Sequence, residues 1–134
     1  MESYERLEMK KEAMTNKKTV VFGASPKPSR YSNRAVVRLN ANGHEVVPVG
    51  FRNGEIAGIA IQKDNPQVED VHTVTLYLNP QRQVAFYDYI LGLNPKRIIF
   101  NPGTENAELI QMAEAKGIEA EVACTLVMLS VGNY

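Results

Sequence analysis

Apolar residues recur along this chain in short runs typical of strands, and stretches with helical spacing lie between them. The first run, TVVFGA, is β-branched and aromatic, and later runs are HEVVPVG, HTVTLYL, KRIIF and IEAEVAC. After the first run, Ala35, Val36 and Leu39 fall on helical spacing. Short connections and regular alternation predict one α/β domain, with a doubly wound, mostly parallel sheet of about five strands and helices on both faces.

Residues that start and stop helices delimit the predicted elements. Asn42-Gly43 and Gly117 predict C-terminal ends, because glycine readily takes the left-handed conformation found there. Asn79 and Pro80 predict the N-cap and first residue of a helix over NPQRQVAFYDYILGL. The segment EIAGIAIQKDNPQVED is expected to be irregular or to hold a short strand. One buried stripe of the predicted helix is expected at Val84, Tyr87 and Leu91.

The composition and net charge limit the kinds of partner that this protein is expected to bind. The chain has 134 residues, 44% of them hydrophobic, and its 15 cations balance its 15 anions. Zero net charge argues against a nucleic-acid or membrane surface, and no apolar run reaches the ~18 residues of a membrane span. A single cysteine excludes an internal disulfide and fits a cytoplasmic location. Residues 1–17 are expected to be a charged leader, helical or disordered, that precedes the domain at 18–134.

Small and polar residues follow each predicted strand. Parallel strands bring their carboxyl ends to one edge, and strand order is expected to reverse at the first strand, between the ends of TVVFG and TVTLYL. Helix N-termini adjoin three of these strand ends and favour an anion there. The residues expected at this edge are Gly23, Ala24, Ser25, Pro26, Ser32, Val49, Arg52, Asn79, Pro80, Asn101, Pro102, Gly103 and Thr104.

The first loop differs from the usual dinucleotide-binding loop. It has a single glycine, Gly23, in place of G-x-G-x-x-G, and the second strand ends without the acid that holds ribose hydroxyls. Arg52 lies near that position instead, and a guanidinium attracts a ribose phosphate. A nucleotide ligand is therefore expected to be coenzyme A (CoA) or NADP rather than NAD. The open alternative is that these residues form ordinary turns and that Arg52 is a solvated surface residue.

Four segments together carry a resemblance: VVFGASPKPSRYSNRAVVRLNANGHEVVPV, EIAG, TLYLNP and NPGTENAELIQMAEAKGIEAEVACT. They resemble the small stand-alone CoA-binding proteins, Rossmann-like domains similar to the CoA domain of the succinyl-CoA synthetase α subunit. The resemblance implies that residues 23–26 approach the CoA diphosphate and that Val49 and Arg52 lie by the adenosine. It also implies that Leu78, Asn79 and Pro80 border the adenine or pantetheine, and that residues 101–104 line the route to the thiol.

Two departures from the family pattern affect the expected contacts. Gly50-Phe51 stands where the family commonly has Asn-Pro, and Ala123-Cys124 keeps a cysteine but lacks the preceding arginine. Cys124 is interpreted as a buried small side chain, with a mixed disulfide to the CoA thiol as the alternative.

No acid, base or nucleophile is clearly placed for catalysis. His44 and His72 precede strands and so belong to the opposite edge, which leaves Glu105 as a weak candidate. The favoured hypothesis is therefore non-catalytic binding of CoA or an acyl-CoA. The alternatives are an NADP-binding reductase-like domain and a regulatory or interaction module without ligand. The apolar tail 126–131 is a candidate surface for a homodimer or a protein partner, although packing of that tail on its own sheet is favoured.

Overall fold

The computed structural model describes residues 16–134, so the predicted leader lies outside the described residues except for its last two positions. The strands are β1 (Thr19–Ala24), β2 (Val46–Gly50), β3 (Glu55–Ile56), β4 (Ile59–Ala60), β5 (Thr73–Leu76), β6 (Arg97–Phe100) and β7 (Glu119–Val122). Five of them form a parallel sheet at the centre of the domain, in the order β2-β1-β5-β6-β7, and β3 and β4 form a separate two-stranded hairpin.

Helices connect β1 to β2, β5 to β6 and β6 to β7, whereas the β3-β4 hairpin lies between β2 and β5. Asn42 and Gly43 end the first helix, Gly117 follows the fourth, and the Asn79 side chain caps the second, as predicted. No described helix is both long and apolar enough to span a membrane. The helices are α1 (Tyr31–Ala41), α2 (Pro80–Gln83), α3 (Tyr87–Gly92), α4 (Ala107–Ala115) and α5 (Thr125–Val131), with a 3-10 turn at Val84–Phe86.

The sheet is buried on both faces, which confirms the predicted doubly wound α/β class. Alternate residues of one strand belong to different cores: Phe22 packs in the cluster with Ile90 and Leu109, and Val21 in the cluster with Leu39 and Met128. The first cluster covers the face under α3 and α4, and the second covers the face under α1 and α5. Because Met128 is buried there, α5 packs on its own sheet.

Strand order reverses at β1, as the sequence analysis predicts. From β1 the chain passes first to β2 on one side and later to β5 on the other, so the switch point lies between β1 and β5. At this point Gly23 forms a bulge, since the pairing passes from Phe22–Val49 directly to Ala24–Gly50. Gly23 has a φ of 98°, a conformation that favours glycine.

The segment predicted to be irregular or to hold a short strand contains the β3-β4 hairpin, which supports the first loop. After the hairpin, Gln62 pairs with Val49 of β2. Its backbone N–H donates a hydrogen bond to the Pro48 carbonyl oxygen, and its carbonyl oxygen accepts one from the Gly50 N–H. A Cβ on Gly54 would lie 2.6 Å from Pro26 Cβ, so this segment packs directly against the loop that follows β1.

The stripe predicted at Val84, Tyr87 and Leu91 is wrong at its first position. Val84 is 57% exposed, Tyr87 is half-buried and Leu91 is buried. The predicted single helix is interrupted by the 3-10 turn, which changes the angular spacing of side chains. The buried residue in the first turns is instead Gln83.

Candidate functional site

A cleft of about 580 Å³ lies at the carboxyl edge of the sheet, where β1 and β5 diverge. Its size is within the range of small-molecule sites, about 300–1,000 Å³. The loops after β1, β2, β5 and β6 all contribute to it, so the structure brings together Ser25 and Asn79 from different strand ends. The predicted residues that line it are Gly23, Ala24, Ser25, Pro26, Ser32, Arg52, Leu78, Asn79, Pro102, Gly103 and Thr104.

The loop between β1 and α1 is held in shape by its own polar groups. Asn33 Nδ2 donates a hydrogen bond to the Ser25 carbonyl oxygen over 2.9 Å, and the Lys27 backbone N–H donates to Ser25 Oγ over 3.2 Å. Arg30 is the N-cap of α1 and gives no side-chain cap, so within residues 16–134 the first backbone N–H groups of this helix have no side-chain capping partner. A Cβ on Gly23 would lie 3.1 Å from the Tyr77 carbonyl carbon, so a side chain here would push the ends of β1 and β5 apart, and the φ of 98° also favours glycine.

The cleft is strongly cationic although the whole chain carries no net charge. Lys27, Arg30, Arg52 and Arg82 line it, and no Asp or Glu does so among the described residues. None of these four cations forms an ion pair within residues 16–134. The nearby Glu105 lies at the β6 side, where its carboxylate accepts a hydrogen bond from the Gly103 N–H over 2.7 Å. The arrangement favours a polyanion at the β1, β2 and α2 side of the cleft.

Three predicted site residues do not line the cleft. Val49 is 3% exposed and belongs to the core, and Pro80 follows Asn79 as the first residue of α2. The third is Asn101.

Asn101 is buried, and its Nδ2 donates to Thr75 Oγ1 over 2.6 Å and to the Leu76 carbonyl over 2.8 Å. Its Oδ1 accepts from the Thr125 N–H over 2.9 Å. Asn101 therefore positions the segment that carries Pro102 into the cleft.

Gln83 is a positioning residue that the sequence analysis did not identify. It is fully buried, and its Nε2 donates to the carbonyl oxygens of Leu78 and Thr104, each over 2.8 Å. Its Oε1 accepts from Asn106 Nδ2 over 2.9 Å. Since Leu78 and Thr104 follow different strands, this one amide fixes two sides of the cleft. Nothing in the sequence indicates this role, because a glutamine side chain is normally exposed.

Tyr77 also lines the cleft without having been predicted. Its hydroxyl is buried and has no hydrogen-bond partner among the described residues. Burial raises the pKa of Tyr77, and the neighbouring Cys124 raises it further. The phenol therefore stays protonated at neutral pH. Cys124 itself is half-buried and is not part of the cleft wall.

A larger cavity, of about 1,370 Å³, lies at the opposite, amino edge of the sheet. Its charges are mixed, since Glu69, Asp70 and Asp88 line it together with Lys18 and Lys96. His72 also lines it, and His44 packs on Tyr134, so both histidines lie away from the carboxyl-edge cleft. Burial lowers the pKa of both histidines. The larger cavity lacks the uniform positive charge of the smaller one.

A family model described as a CoA binding domain matches residues 17–130. The chain belongs to the CoA-binding domain family. This finding confirms the family resemblance stated from the sequence, and the parallel α/β fold agrees with it.

Solved structures share the fold of this CoA-binding domain. A crystal structure of an uncharacterized protein is 52% identical, with a TM-score of 0.87, and the match covers 89% of this chain and 98% of that one. A hypothetical protein from Pyrococcus horikoshii OT3 is 25% identical, with a TM-score of 0.75 and coverages of 92% and 89%. The cell-free ID.343 structure from Thermus thermophilus is 21% identical, with a TM-score of 0.79 and coverages of 96% and 98%. No curated protein matches the sequence.

Proposed function

We propose that the carboxyl-edge cleft binds CoA or an acyl-CoA and catalyses no reaction. One observation carries the proposal: within residues 16–134, four cations line a cleft that no Asp or Glu lines, and none of the four has an ion-pair partner there, in a chain that belongs to a CoA-binding family. CoA carries a diphosphate and a ribose phosphate, and guanidinium groups bind phosphates through charge-assisted hydrogen bonds.

The charge distribution supports one orientation of the ligand. The diphosphate would lie by Gly23 and Ser25, where the uncapped N–H groups of α1 and the cations Lys27 and Arg30 are available. The uncharged pantetheine arm would extend toward Gly103 on the β6 side, where Glu105 makes the surface less favourable for phosphate.

Calorimetric titration of the full chain with CoA tests the proposal. Arg30→Gln should weaken CoA binding about tenfold or more, because it removes one charged phosphate contact. Arg38→Gln is the matched control, since Arg38 is exposed in the last turn of α1 and does not line the cleft. Affinity should also fall as salt concentration rises. No CoA binding by the unaltered chain, or equal effects of the two substitutions, would contradict the proposal.

NADP binding is the second candidate, because the same cations suit a phosphate on the ribose. A reductase would also need a proton donor at the hydride acceptor, and the Tyr77 hydroxyl is buried rather than presented to the cleft. Titration with NADP under the same conditions separates the candidates: NADP binding tighter than CoA binding would favour the reductase-like alternative.

A further inference from the structure

Arg82 and Phe51 form a stacked pair at the cleft. The Arg82 guanidinium carbon lies 4.6 Å from the centre of the Phe51 ring, and both residues line the cleft. A guanidinium placed over a ring face is attracted by the ring and keeps N–H donors for other partners. Within residues 16–134 this guanidinium pairs with no carboxylate.

The Phe51 ring is anchored to the core of the domain. Although Phe51 is 45% exposed, its ring centre lies 6.3 Å from that of the buried Phe22 and 5.5 Å from that of Phe86. The Arg82 backbone is fixed as well, because its N–H donates to Asn79 Oδ1 over 2.9 Å. Both partners of the stack are therefore held before any ligand arrives.

Arg52 lacks comparable support. It lies in the bend after β2, it is exposed, and no aromatic ring stacks on its guanidinium among the described residues. Ordering a free arginine on binding costs side-chain entropy, whereas a stacked arginine has already lost much of that freedom. Of the two arginines at this side of the cleft, Arg82 is the better preorganised.

We infer that Arg82, held over the Phe51 ring, binds the ribose phosphate of the coenzyme, in place of Arg52. The inference rests on the proposed function and refines it: Phe51 and Arg82 together discriminate coenzymes that carry this phosphate from those that lack it. A bidentate contact from a fixed guanidinium fork suits a phosphate dianion, and a lysine ammonium does not reproduce that geometry.

The experiment compares the affinities of CoA and dephospho-CoA, which lacks only the ribose phosphate, for the full chain and its variants. The unaltered chain should prefer CoA by roughly ten- to a hundredfold, the range for a charge-assisted contact. Arg82→Gln should abolish most of that preference while dephospho-CoA still binds. Arg82→Lys should restore only part of it, and Phe51→Leu should reduce it because the guanidinium loses its platform.

Arg38→Gln, outside the cleft, is the matched control and should keep the preference unchanged, whereas Arg52→Gln should reduce the preference much less than Arg82→Gln does. Loss of the preference in Arg52→Gln with retention in Arg82→Gln would overturn the inference, as would full rescue by Arg82→Lys. Equal affinities of the unaltered chain for CoA and dephospho-CoA would overturn it while leaving CoA binding intact. Failure to bind either compound would overturn the proposed function itself. Urea unfolding of each variant checks that the domain is folded.

Discussion

The Gln83 side chain joins two sides of the cleft by donating a hydrogen bond from Nε2 to the Thr104 carbonyl oxygen over 2.8 Å. The same nitrogen donates to the Leu78 carbonyl, and both acceptors belong to residues that line the cleft. Because Gln83 is fully buried, water cannot replace it as a partner for these carbonyls.

Replacement of Gln83 by leucine should therefore destabilise the domain. Gln83→Leu leaves the two carbonyl oxygens and the Asn106 amide without this partner, and we expect the free energy of unfolding to fall by about 2–3 kcal/mol. Gln81→Leu makes the same change at an exposed position of α2 and should alter it by less than about 0.5 kcal/mol. Urea denaturation measures both values, and equal losses would refute the positioning role.

Gly50 is expected to tolerate no side chain. A Cβ there would lie 2.2 Å from the Ala24 carbonyl oxygen, so Gly50→Ala must displace the loop after β1. We expect a cost of about 1–3 kcal/mol, as for other overpacked sites, together with weaker CoA binding. The control is Gly92→Ala, which enters open space at the end of α3 and should be neutral or stabilising by up to about 1 kcal/mol. Thermal unfolding of the two variants measures these changes in stability. Similar changes in Gly50→Ala and Gly92→Ala would contradict the predicted clash at Gly50.

Two substitutions of Asn79 separate its role as the N-cap of α2 from its role as a residue of the cleft wall. Its side chain accepts a hydrogen bond from the Arg82 N–H and it also lines the cleft. Asn79→Ala should lower the free energy of unfolding by about 1 kcal/mol through loss of the N-cap, whereas Asn79→Asp keeps a good cap and should preserve stability. The new carboxylate would, however, repel a phosphate ligand, so Asn79→Asp should bind CoA less tightly. An Asn79→Asp variant with unaltered CoA affinity would argue against a polyanion beside Asn79.

Stability should depend on pH through the two histidines. Burial is the main cause that lowers the pKa of His44 below 6.5, followed by the charge of Lys17, and burial lowers the pKa of His72 similarly. As pH falls, the histidines of the unfolded chain therefore take up protons at a higher pH than those of the folded chain. The contribution of the neutral histidines to the free energy of unfolding is complete above the ordinary pKa of 6.5 and is lost as pH falls through the lowered values. Both side chains are partly exposed, so the slope should be modest.

Urea unfolding at several pH values between about 7.5 and about 5.5 measures this slope, in a range above most carboxylate pKa values. His44→Asn offers an acceptor close to Nδ1, which receives the Lys17 N–H over 2.9 Å, and cannot titrate. The variant with both histidines replaced by asparagine should lose most of the slope. Rising stability on acidification, or an unchanged slope in the double variant, would refute the assignment.

Much of the fold was predictable because its signals are local. The Asn79-Pro80 start, the Asn42-Gly43 stop and Gly117 each act within one helical turn, and all three lie where predicted. The reversal of strand order at β1 was expected from the rule of right-handed crossovers. Because the carboxyl ends of the parallel strands share one edge of the sheet, most of the residues that line the cleft could be named from the sequence.

The site itself was predictable only in outline. Val49 and Asn101 follow the rule for strand ends but are buried, since whether a side chain reaches the cleft depends on the pleat and on its neighbours. Arg82 lies within a helix, so its place beside Phe51 follows from the packing of two distant segments.

The amino-acid sequence by itself determined the alternation of strands and helices, the caps and the glycine that turns the chain at the end of β1, because burial periodicity and turn chemistry act over a few residues. The tertiary structure decided that Gln83 is buried while Val84 is exposed, and that four cations from three separate segments share one cleft that no carboxylate of residues 16–134 lines. Those outcomes depend on distances between residues far apart in the chain, which no local pattern specifies.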